Sequence, residues 1–431
     1  MNLRRLFITL VTISISPILF GQAGKPENKE NNLRAGLSKI DITPSIPVKL
    51  YGYSSRKSYS EGVHDSLYAR AVVFENDGRK LVMISTDVGS FGAEVSPVIR
   101  KNIIEKFNLK ESELFLTAIH SHSAPVLSVN RETGDPSNIS YTELLNQKLL
   151  ALVDEAFKNM VPVHTGIGAG SSPVGSNRRE MSSDGSIILG RNPYGPTDKE
   201  VLVMKLQNSD GKPVGAIYDY ATHATSLGPQ NLMISGDVLG ISAQFVEKIL
   251  GNNVISPIFA GASGNIDPWY RVLPGFNSEP GWIPETVLLG TLLGEETVTV
   301  FRNIKETKPG GKISTLMETI DCSRKKSTDN VKSTPESDPP AIPVNIIAAR
   351  IGDVAFVGFN VEMLTEVGMA IKAGSPFKYS FVITHCNGYS GYLPPAHLYK
   401  EGGYEVNSSP FEIGSAEIVV KRALRMLYDL E

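Results

Sequence analysis

The feature that most constrains this chain is a short apolar run that ends in a pair of histidines. Residues 114–116 read Leu-Phe-Leu, and His120 and His122 follow closely. The run predicts a buried strand, along which side chains two residues apart point to the same side. A second such run, residues 214–218, leads in the same way to His223. Because imidazoles are frequent zinc ligands, the repeated pattern predicts a metal centre, in which one histidine is free to act as acid or base.

The composition is that of an ordinary globular protein. The 431 residues are 41% hydrophobic and 20% charged, with a net charge of −3. A chain of this length can bury a large core, and the lack of a basic field argues against a nucleic-acid partner. The order of strand, hairpin and helix patterns predicts an α/β (α+β) fold. We expect mixed β-sheets packed together and flanked by helices, in a single catalytic domain over residues 33–431.

The first 23 residues have the order of a secretory signal. Arg4 and Arg5 precede the apolar run at residues 6–20, and Gly21-Gln22-Ala23 offers small residues for cleavage. This order predicts a signal peptide at residues 1–23, and therefore an exported protein, periplasmic or secreted. The run is short for a membrane span, so we expect no stable membrane insertion.

Turn residues and apolar spacing predict several other elements. Asn76-Asp77-Gly78 and Ser209-Asp210-Gly211 are hairpin turns between strand-like runs, and residues 141–160 have helical spacing. Asn177-Arg178-Arg179 is predicted to lie in a loop rich in Gly and Ser. The two cysteines, Cys322 and Cys386, are either one disulfide or two buried thiols, and both alternatives stay open.

Several short segments together resemble one known family. In chain order they are Gly62-Val63-His64, Ala69-Arg70-Ala71, the His120 segment, Asn177-Arg178, His223 with Ile234-Ser235-Gly236-Asp237, Gly264-Asn265-Ile266-Asp267-Pro268, Glu362, and Asn387-Gly388-Tyr389. Their order is similar to that in the neutral (non-lysosomal) ceramidases, from residue 33 to about residue 420. The resemblance implies a zinc-dependent hydrolase that cleaves the amide of an N-acyl sphingoid base.

The resemblance also implies a ligand set for the zinc ion. The metal would be held by His120, His223, Glu362 and Tyr389. Two imidazoles and a carboxylate are a common catalytic set, whereas a phenol is a less usual ligand. Without the resemblance, Glu362 would be read as a surface carboxylate at the start of a helix. His122 would then bind the substrate carbonyl or carry a proton.

Further residues are implied to act on the substrate. Arg178 would bind an anionic or hydroxylated part of the substrate through its planar fork of donors, with the next arginine as a rival. Asp267 would contact the attacking water or the substrate. His64, Tyr392 and Tyr404 are predicted to line the substrate cleft.

Two aspartates and one serine complete the predictions for the site. Asp87 and Asp237 follow strand-like or turn segments and are predicted to orient the histidines. Aligning on Gly264 puts Gly261 where the ceramidases carry a serine once considered a nucleophile, and Ser263 lies two residues further on. We therefore expect zinc-bound water, rather than a serine, to attack the substrate.

Three functions remain open from the sequence. The first is a zinc amidase of the ceramidase type, acting on a lipid. The second is a zinc hydrolase of a small soluble ester, amide or glycoside, because the chain stops near Leu430, before the β-sandwich-like domain of the family. The aromatic and Gly-rich segments Trp269-Tyr270 and Gly281-Trp282 suit a glycan as well as an acyl chain. The third is a non-enzymatic binding protein with a structural, fully coordinated metal. The oligomeric state is not predicted.

Overall fold

The chain builds β-sheets covered by helices, as seen in a computed structural model that describes residues 33–251, 253–268, 285–326 and 340–431. The helices are α1 (Val95–Phe107), α2 (Pro136–Lys158), α3 (Asp237–Leu250), α4 (Glu285–Asn303), α5 (Thr365–Gly374), α6 (Tyr404–Ser408) and α7 (Ser415–Leu430). The strands are β1 (Arg34–Asp41), β2 (Gly62–Val63), β3 (Tyr68–Asn76), β4 (Arg79–Thr86), β5 (Leu114–Ala118), β6 (Val161–Ser171), β7 (Gly175–Met181), β8 (Ile187–Asn192), β9 (Glu200–Asn208), β10 (Pro213–Tyr220), β11 (Met233–Ile234), β12 (Ile258–Ala260), β13 (Ile266–Pro268), β14 (Lys308–Pro309), β15 (Ile313–Cys322), β16 (Ile342–Ile351), β17 (Val354–Phe359), β18 (Glu362–Met363), β19 (Tyr379–Ile383) and β20 (Tyr392–Leu393). The predicted signal peptide and the segments at 269–270 and 281–282 lie outside the described residues.

The larger sheet is buried on both faces. Within the described ranges its strand order is β12-β10-β9-β6-β1-β3-β4-β5, with β14 added to β6. In β3, Ala71 and Val73 pack toward α1 and α2, while Val72 and Phe74 face the opposite core. Side chains alternate along a strand, so a strand covered on both faces must be apolar almost throughout. Helices α3 and α4 cover the β9-β10-β12 end of the same sheet.

A second sheet, of order β15-β16-β17-β19, packs against the first. Phe356 and Phe381 point into the core shared with the larger sheet, and their rings stack at 4.6 Å. Val357 and Val382 face the other way, toward α5 and α7. Each such buried side chain contributes roughly 1.5–3 kcal/mol relative to exposure. The result is a helix, sheet, sheet, helix arrangement, which confirms the predicted fold class.

The ends of several strands meet at one place. Strand β5 is parallel to β4, β10 to β12, and β19 to β17. Just beyond the strand ends, Ser121 forms a β-bridge with Ala224, and Thr117 forms one with Cys386. Thr384 N also donates to the carbonyl of Ala260 at 2.9 Å. The segments that follow β5, β10 and β19 are therefore held side by side.

Several local predictions can be compared with the fold. The predicted helix at 141–160 is present as α2, which begins earlier because the Asp135 side chain caps it. The turn after β3 has positive φ at Asp77 and Gly78, as a tight hairpin requires. The loop predicted at Asn177-Arg178-Arg179 is wrong: these residues belong to β7, in the sheet β13-β7-β8. Their polar side chains are buried against partners distant in sequence, so this strand lacks an apolar alternation.

Two further findings concern cysteines and membranes. Cys322 and Cys386 are both buried free thiols, which decides the open alternative against a disulfide. Among the helices of the described residues, none has the length and apolar character needed to cross a bilayer.

Candidate metal centre

His120 lies in a tight turn just beyond β5. Its φ of 63° is in the left-handed region, which is uncommon for a residue other than glycine. Its Nδ1 lies 2.9 Å from the carbonyl oxygen of Gly89, and its Nε2 lies 3.2 Å from His122 Nε2. The two histidines are therefore close together, as predicted, but a turn rather than strand alternation brings them there.

His223 is anchored in the same manner after β10. Its Nδ1 lies 2.7 Å from the carbonyl oxygen of Ser263 and 3.1 Å from that of Ile266. The prediction that Asp87 and Asp237 orient the histidines is wrong. Asp87 accepts from Arg70 and from a backbone amide, and Asp237 accepts from Ser226 and the start of α3. Backbone carbonyls hold the imidazoles instead.

Glu362 lies in β18, between the two anchored histidines. Its Oε2 is 3.3 Å from His223 Nε2 and 3.6 Å from His120 Nε2. The Tyr389 hydroxyl donates to Oε1 at 2.6 Å. Burial by itself would raise the pKa of Glu362, but His120 and His223 hold it well below its usual range. The carboxylate is ionised, and the residues predicted from scattered segments form one cluster.

The contacts of the two anchored histidines direct their other ring nitrogens toward the centre of the cluster. The Nδ1 atoms of His120 and His223 face carbonyl oxygens and therefore donate to them, so in the neutral form of each ring Nε2 is an acceptor. Burial and the charge of Arg178 lower the pKa of His223, so a second proton is disfavoured. His223 Nε2 and Glu362 Oε2 are buried without a hydrogen-bond partner. Acceptors that face one another in this way fit a bound cation.

His122 differs from the two anchored histidines. Its ligand atom lies within 4.8 Å of those of His120 and His223, so these three form a metal-type group among the described residues. However, its Nδ1 is buried without a partner, so no carbonyl holds its proton. Burial and the other two histidines keep the pKa of His122 well below its usual range. The ring is thus a neutral imidazole beside the cluster.

Two tyrosines and a glycine enclose His122, and no sequence prediction named them. The His122 ring meets Tyr51 edge-on at 5.6 Å and Tyr53 at 5.0 Å. Gly52 has φ +97°, and a Cβ there would lie 2.2 Å from His122 Nδ1. Only glycine allows this backbone approach. The signal in the sequence was the run Tyr-Gly-Tyr within a Gly- and Ser-rich loop.

A further histidine, His385, also lies against the cluster and was not predicted. Its ring stacks on that of His120 with centroids 3.9 Å apart and planes at 11°. It follows the apolar strand β19, just as His120 and His223 follow β5 and β10. The same strand-end signal therefore could have identified it.

The Arg178 side chain, on strand β7, is buried and donates hydrogen bonds to several polar groups. Its Nε donates to Glu405 at 2.7 Å, and its Nη1 donates to Asp267 at 3.1 Å. Its Nη2 donates to the Gly264 carbonyl at 2.7 Å and to the Tyr392 hydroxyl at 3.2 Å. Most of its donors are thus engaged by protein groups, which leaves little of the fork for a substrate. The same contacts hold Asp267 and Tyr392 in place.

The other predicted substrate residues lie in two different places. Tyr392 pairs in register with Glu362, and its ring meets Tyr404 edge-on at 5.6 Å. Tyr404 is 46% exposed and reaches solvent. His64 lies beside β2, where its Nδ1 contacts Asp65 at 2.7 Å. The neighbour of Arg178, Arg179, turns to Glu405, Glu401 and the Gly402 carbonyl.

Comparison with known proteins assigns this fold and cluster to a family. The family profile described as neutral/alkaline non-lysosomal ceramidase, N-terminal, matches residues 33–264. This chain therefore belongs to the neutral/alkaline non-lysosomal ceramidase family. The matched range contains His120, His122, Arg178 and His223, while Glu362 and Tyr389 lie beyond it.

Individual relatives match about half of the chain. It is 26% identical over 251 residues to neutral ceramidase 1 of Arabidopsis thaliana, covering 54% of this chain and 31% of that protein. It is 26% identical over 256 residues to the neutral ceramidase of Pseudomonas aeruginosa, covering 56% of this chain and 38% of that protein. The matched segment thus spans only about a third of the length of these relatives.

Solved structures match more of the chain than the sequences do. A ceramidase complexed with C2 has a TM-score of 0.77 at 18% identity, covering 93% of this chain and 75% of the other. The crystal structure of neutral ceramidase from Pseudomonas aeruginosa has a TM-score of 0.74, with the same identity and coverage. At this identity the likeness shows a shared fold, which extends past residue 264 to the segments that carry Glu362 and Tyr389.

Proposed function

We propose that this chain is a zinc-dependent hydrolase that cleaves the amide bond of an N-acyl lipid of the ceramide type. Membership of the ceramidase family supports the reaction class, and the similarity to neutral ceramidases suggests the substrate. The observation that carries the proposal is the set of buried acceptors around Glu362 Oε2. Without a cation they repel one another, so this arrangement is explained best by a metal ion.

The proposed ligands are His120, His223, Glu362 and Tyr389. The Nδ1 contacts of the two histidines fix the tautomer that presents Nε2 to a metal. A zinc ion held there supplies a nucleophile at neutral pH, because it lowers the pKa of bound water to about 7. The Tyr389 hydroxyl, which donates to Glu362 Oε1 at 2.6 Å, would be the fourth ligand.

His122 is proposed to move the proton during amide cleavage. It is neutral, it lies beside the ligands, and its Nε2 is 3.2 Å from His120 Nε2, so it can exchange a proton at the site. Tyr51 and Tyr53 pack against its ring, and its Nδ1 is buried. The ring could therefore take a proton from the nucleophile and return it to the leaving amine.

Arg178 is proposed to act mainly by positioning. It holds the Tyr392 hydroxyl and the Asp267 carboxylate, and these groups are the proposed contacts for the polar part of the lipid. The planar guanidinium can hold both because its donors diverge at fixed angles.

The experiment that tests this function is product analysis on a mixed substrate panel. Purified protein is incubated with ceramides, soluble N-acyl amines, esters and glycosides, with and without a chelator and zinc add-back, and products are identified by mass spectrometry. Release of fatty acid from ceramide that stops with chelator and returns with zinc is the expected result. Cleavage of only the soluble esters or glycosides would replace the lipid substrate, and zinc binding without turnover would favour a binding protein.

Export and domain organisation are part of the same proposal. We infer that residues 1–23 are a signal peptide and that residues 33–431 form one catalytic domain, since residues 31–431 cluster as one compact unit. N-terminal sequencing of the protein recovered outside the cytoplasm tests the cleavage, and a mature chain that begins at Met1 would contradict it.

A further inference from the structure

His385 occupies a place in the metal centre that neither the sequence predictions nor the family comparison assigns. It lies two residues beyond β19 and is only 1% exposed. Its ring stacks on His120 at 3.9 Å, and it also lies nearly parallel to Tyr389, with centroids 6.2 Å apart and planes at 9°. We propose that His385 is a positioning residue whose ring fixes the plane of His120, so that His120 Nε2 points at the metal site. This inference rests on the proposed metal site.

The backbone of His385 ties together the segments that carry the candidate ligands. Its amide donates to the Val361 carbonyl at 3.4 Å, directly before Glu362. Its carbonyl accepts from the Ala118 amide at 3.2 Å, two residues before His120. The ring is thus held relative to both ligand segments at once. A flat ring in this position restrains rotation of the His120 ring, which the single contact to Gly89 would leave less restricted.

The geometry argues against His385 as another ligand. Lone pairs lie in the plane of an imidazole, and two nearly parallel stacked rings direct them along parallel planes rather than toward one point. The Nδ1 atom of His385 is buried with no hydrogen-bond partner, so this nitrogen makes no contact that explains its presence.

The backbone explains why this flat ring belongs to a histidine. His385 has φ +52°, in the left-handed region where His, Asn and Asp are enriched and bulkier aromatic residues are strained. The position therefore has two requirements, a flat ring and tolerance of positive φ. Two substitutions separate them: His385→Asn keeps the tolerance and removes the ring, whereas His385→Phe keeps a ring and strains the backbone.

The test is zinc affinity, measured by competition with a chromophoric chelator, alongside the melting temperature of the zinc-free protein. We expect His385→Asn to bind zinc about 10- to 100-fold more weakly, the usual effect of losing a residue that orients a ligand. We expect His385→Phe to remain within about threefold of wild type in zinc affinity, while its melting temperature falls more than that of His385→Asn. A role in stability alone would not produce this reversed order.

Each other outcome would overturn the inference. Wild-type zinc affinity in His385→Asn would show that the ring does nothing for the metal, and this variant decides even if His385→Phe fails to fold. A folded His385→Phe with affinity as weak as His385→Asn would show that stacking is not the role. If wild-type protein binds no zinc at all, the proposed function fails, and this inference fails with it.

Discussion

The metal centre and the ion network around Arg70 both bury charge beside the larger sheet, but they satisfy it in opposite ways. The Arg70 guanidinium donates to Glu247 at 2.7 Å and to Asp87 at 3.2 Å, and Lys39 donates to Glu247 at 2.6 Å. Each carboxylate there has a cationic neighbour. In the candidate metal centre, by contrast, the Glu362 Oε2 atom faces two imidazole nitrogens and has no hydrogen-bond partner.

The difference teaches how to distinguish a structural cluster from a functional one. Paired ions such as Arg70 and its partners need nothing further to be stable once folded. Burial raises the pKa of Asp87 to about 6 even beside Arg70, which shows how strongly burial opposes a charge. A buried carboxylate oxygen that has no hydrogen-bond partner, such as Glu362 Oε2, therefore favours a cation site over a structural ion pair.

The first prediction concerns His122, which lies beside the candidate metal centre. His122→Ala should bind zinc like wild type but lose about 10²- to 10⁴-fold in kcat, the usual contribution of a general acid or base. Zinc content and steady-state kinetics on ceramide measure the two effects separately. His397→Ala, at an exposed histidine, is the matched control and should change neither. Loss of zinc in His122→Ala would make His122 a ligand instead.

The second prediction concerns the ion network around Arg70. Arg70→Met leaves Asp87 without its cation and Glu247 with Lys39 alone, and should lower the free energy of unfolding by about 3–5 kcal/mol, measured by urea denaturation near pH 7.5. The protein that remains folded should still bind zinc. Lys39→Met is the control, because partly exposed ion pairs contribute about 0–1 kcal/mol. Unchanged stability of Arg70→Met would remove the distinction between the two clusters.

The third prediction concerns Asp219, a carboxyl group that is buried with its proton bound rather than paired with a cation. Its Oδ1 has no hydrogen-bond partner, and burial raises its pKa to about 7 although Lys372 opposes the shift. The folded protein thus keeps a proton that the unfolded chain loses near pH 4. The stability from this group is fully present below pH 4 and is lost as the pH rises through about 7, by up to roughly 1.4 kcal/mol per pH unit.

Asp219→Asn should remove this part of the pH dependence. The variant should gain stability relative to wild type as the pH rises from 4 to 8, in urea titrations at each pH. Identical pH profiles for the two proteins would contradict this prediction, because they would show that Asp219 is ionised in the folded protein.

The fourth and smallest effect is expected at Ser263. Its carbonyl oxygen accepts from His223 Nδ1, whereas its buried Oγ has no hydrogen-bond partner. A nucleophilic serine needs a base within reach. Ser263→Ala should therefore keep activity within about tenfold. This loss is smaller than the roughly 2.7–4 kcal/mol that follows removal of one oxyanion donor. An acyl-enzyme trapped on Ser263, detected by intact-mass spectrometry, would contradict this.

Part of the site could be predicted because its signal is local. His120 and His223 each follow an apolar strand, and the turn Asn76-Asp77-Gly78 predicted the hairpin of β3 and β4. Glu362 carries no such signal, and only the family resemblance singled it out. The pattern that identified two histidines also applied to His385, which was overlooked.

The rest depends on contacts that no short segment encodes. The carbonyls of Gly89 and Ser263 orient the histidines, and any residue supplies a carbonyl, so the sequence favoured aspartates instead. Arg178 was predicted to bind substrate, but its partners come from segments near residues 264, 392 and 405. Gly52 matters only because the fold brings its backbone against the His122 ring.

Zinc binding by the wild-type chain and by Glu362→Gln tests the central claim most directly. After loading with zinc and removal of the excess, metal analysis should find one zinc ion per wild-type chain. Glu362→Gln keeps the shape of the side chain and removes its charge, and it should weaken zinc by more than the roughly 10- to 100-fold typical of residues that only orient ligands. Folded wild-type protein without zinc, or a Glu362→Gln variant that binds zinc equally well, would contradict the account.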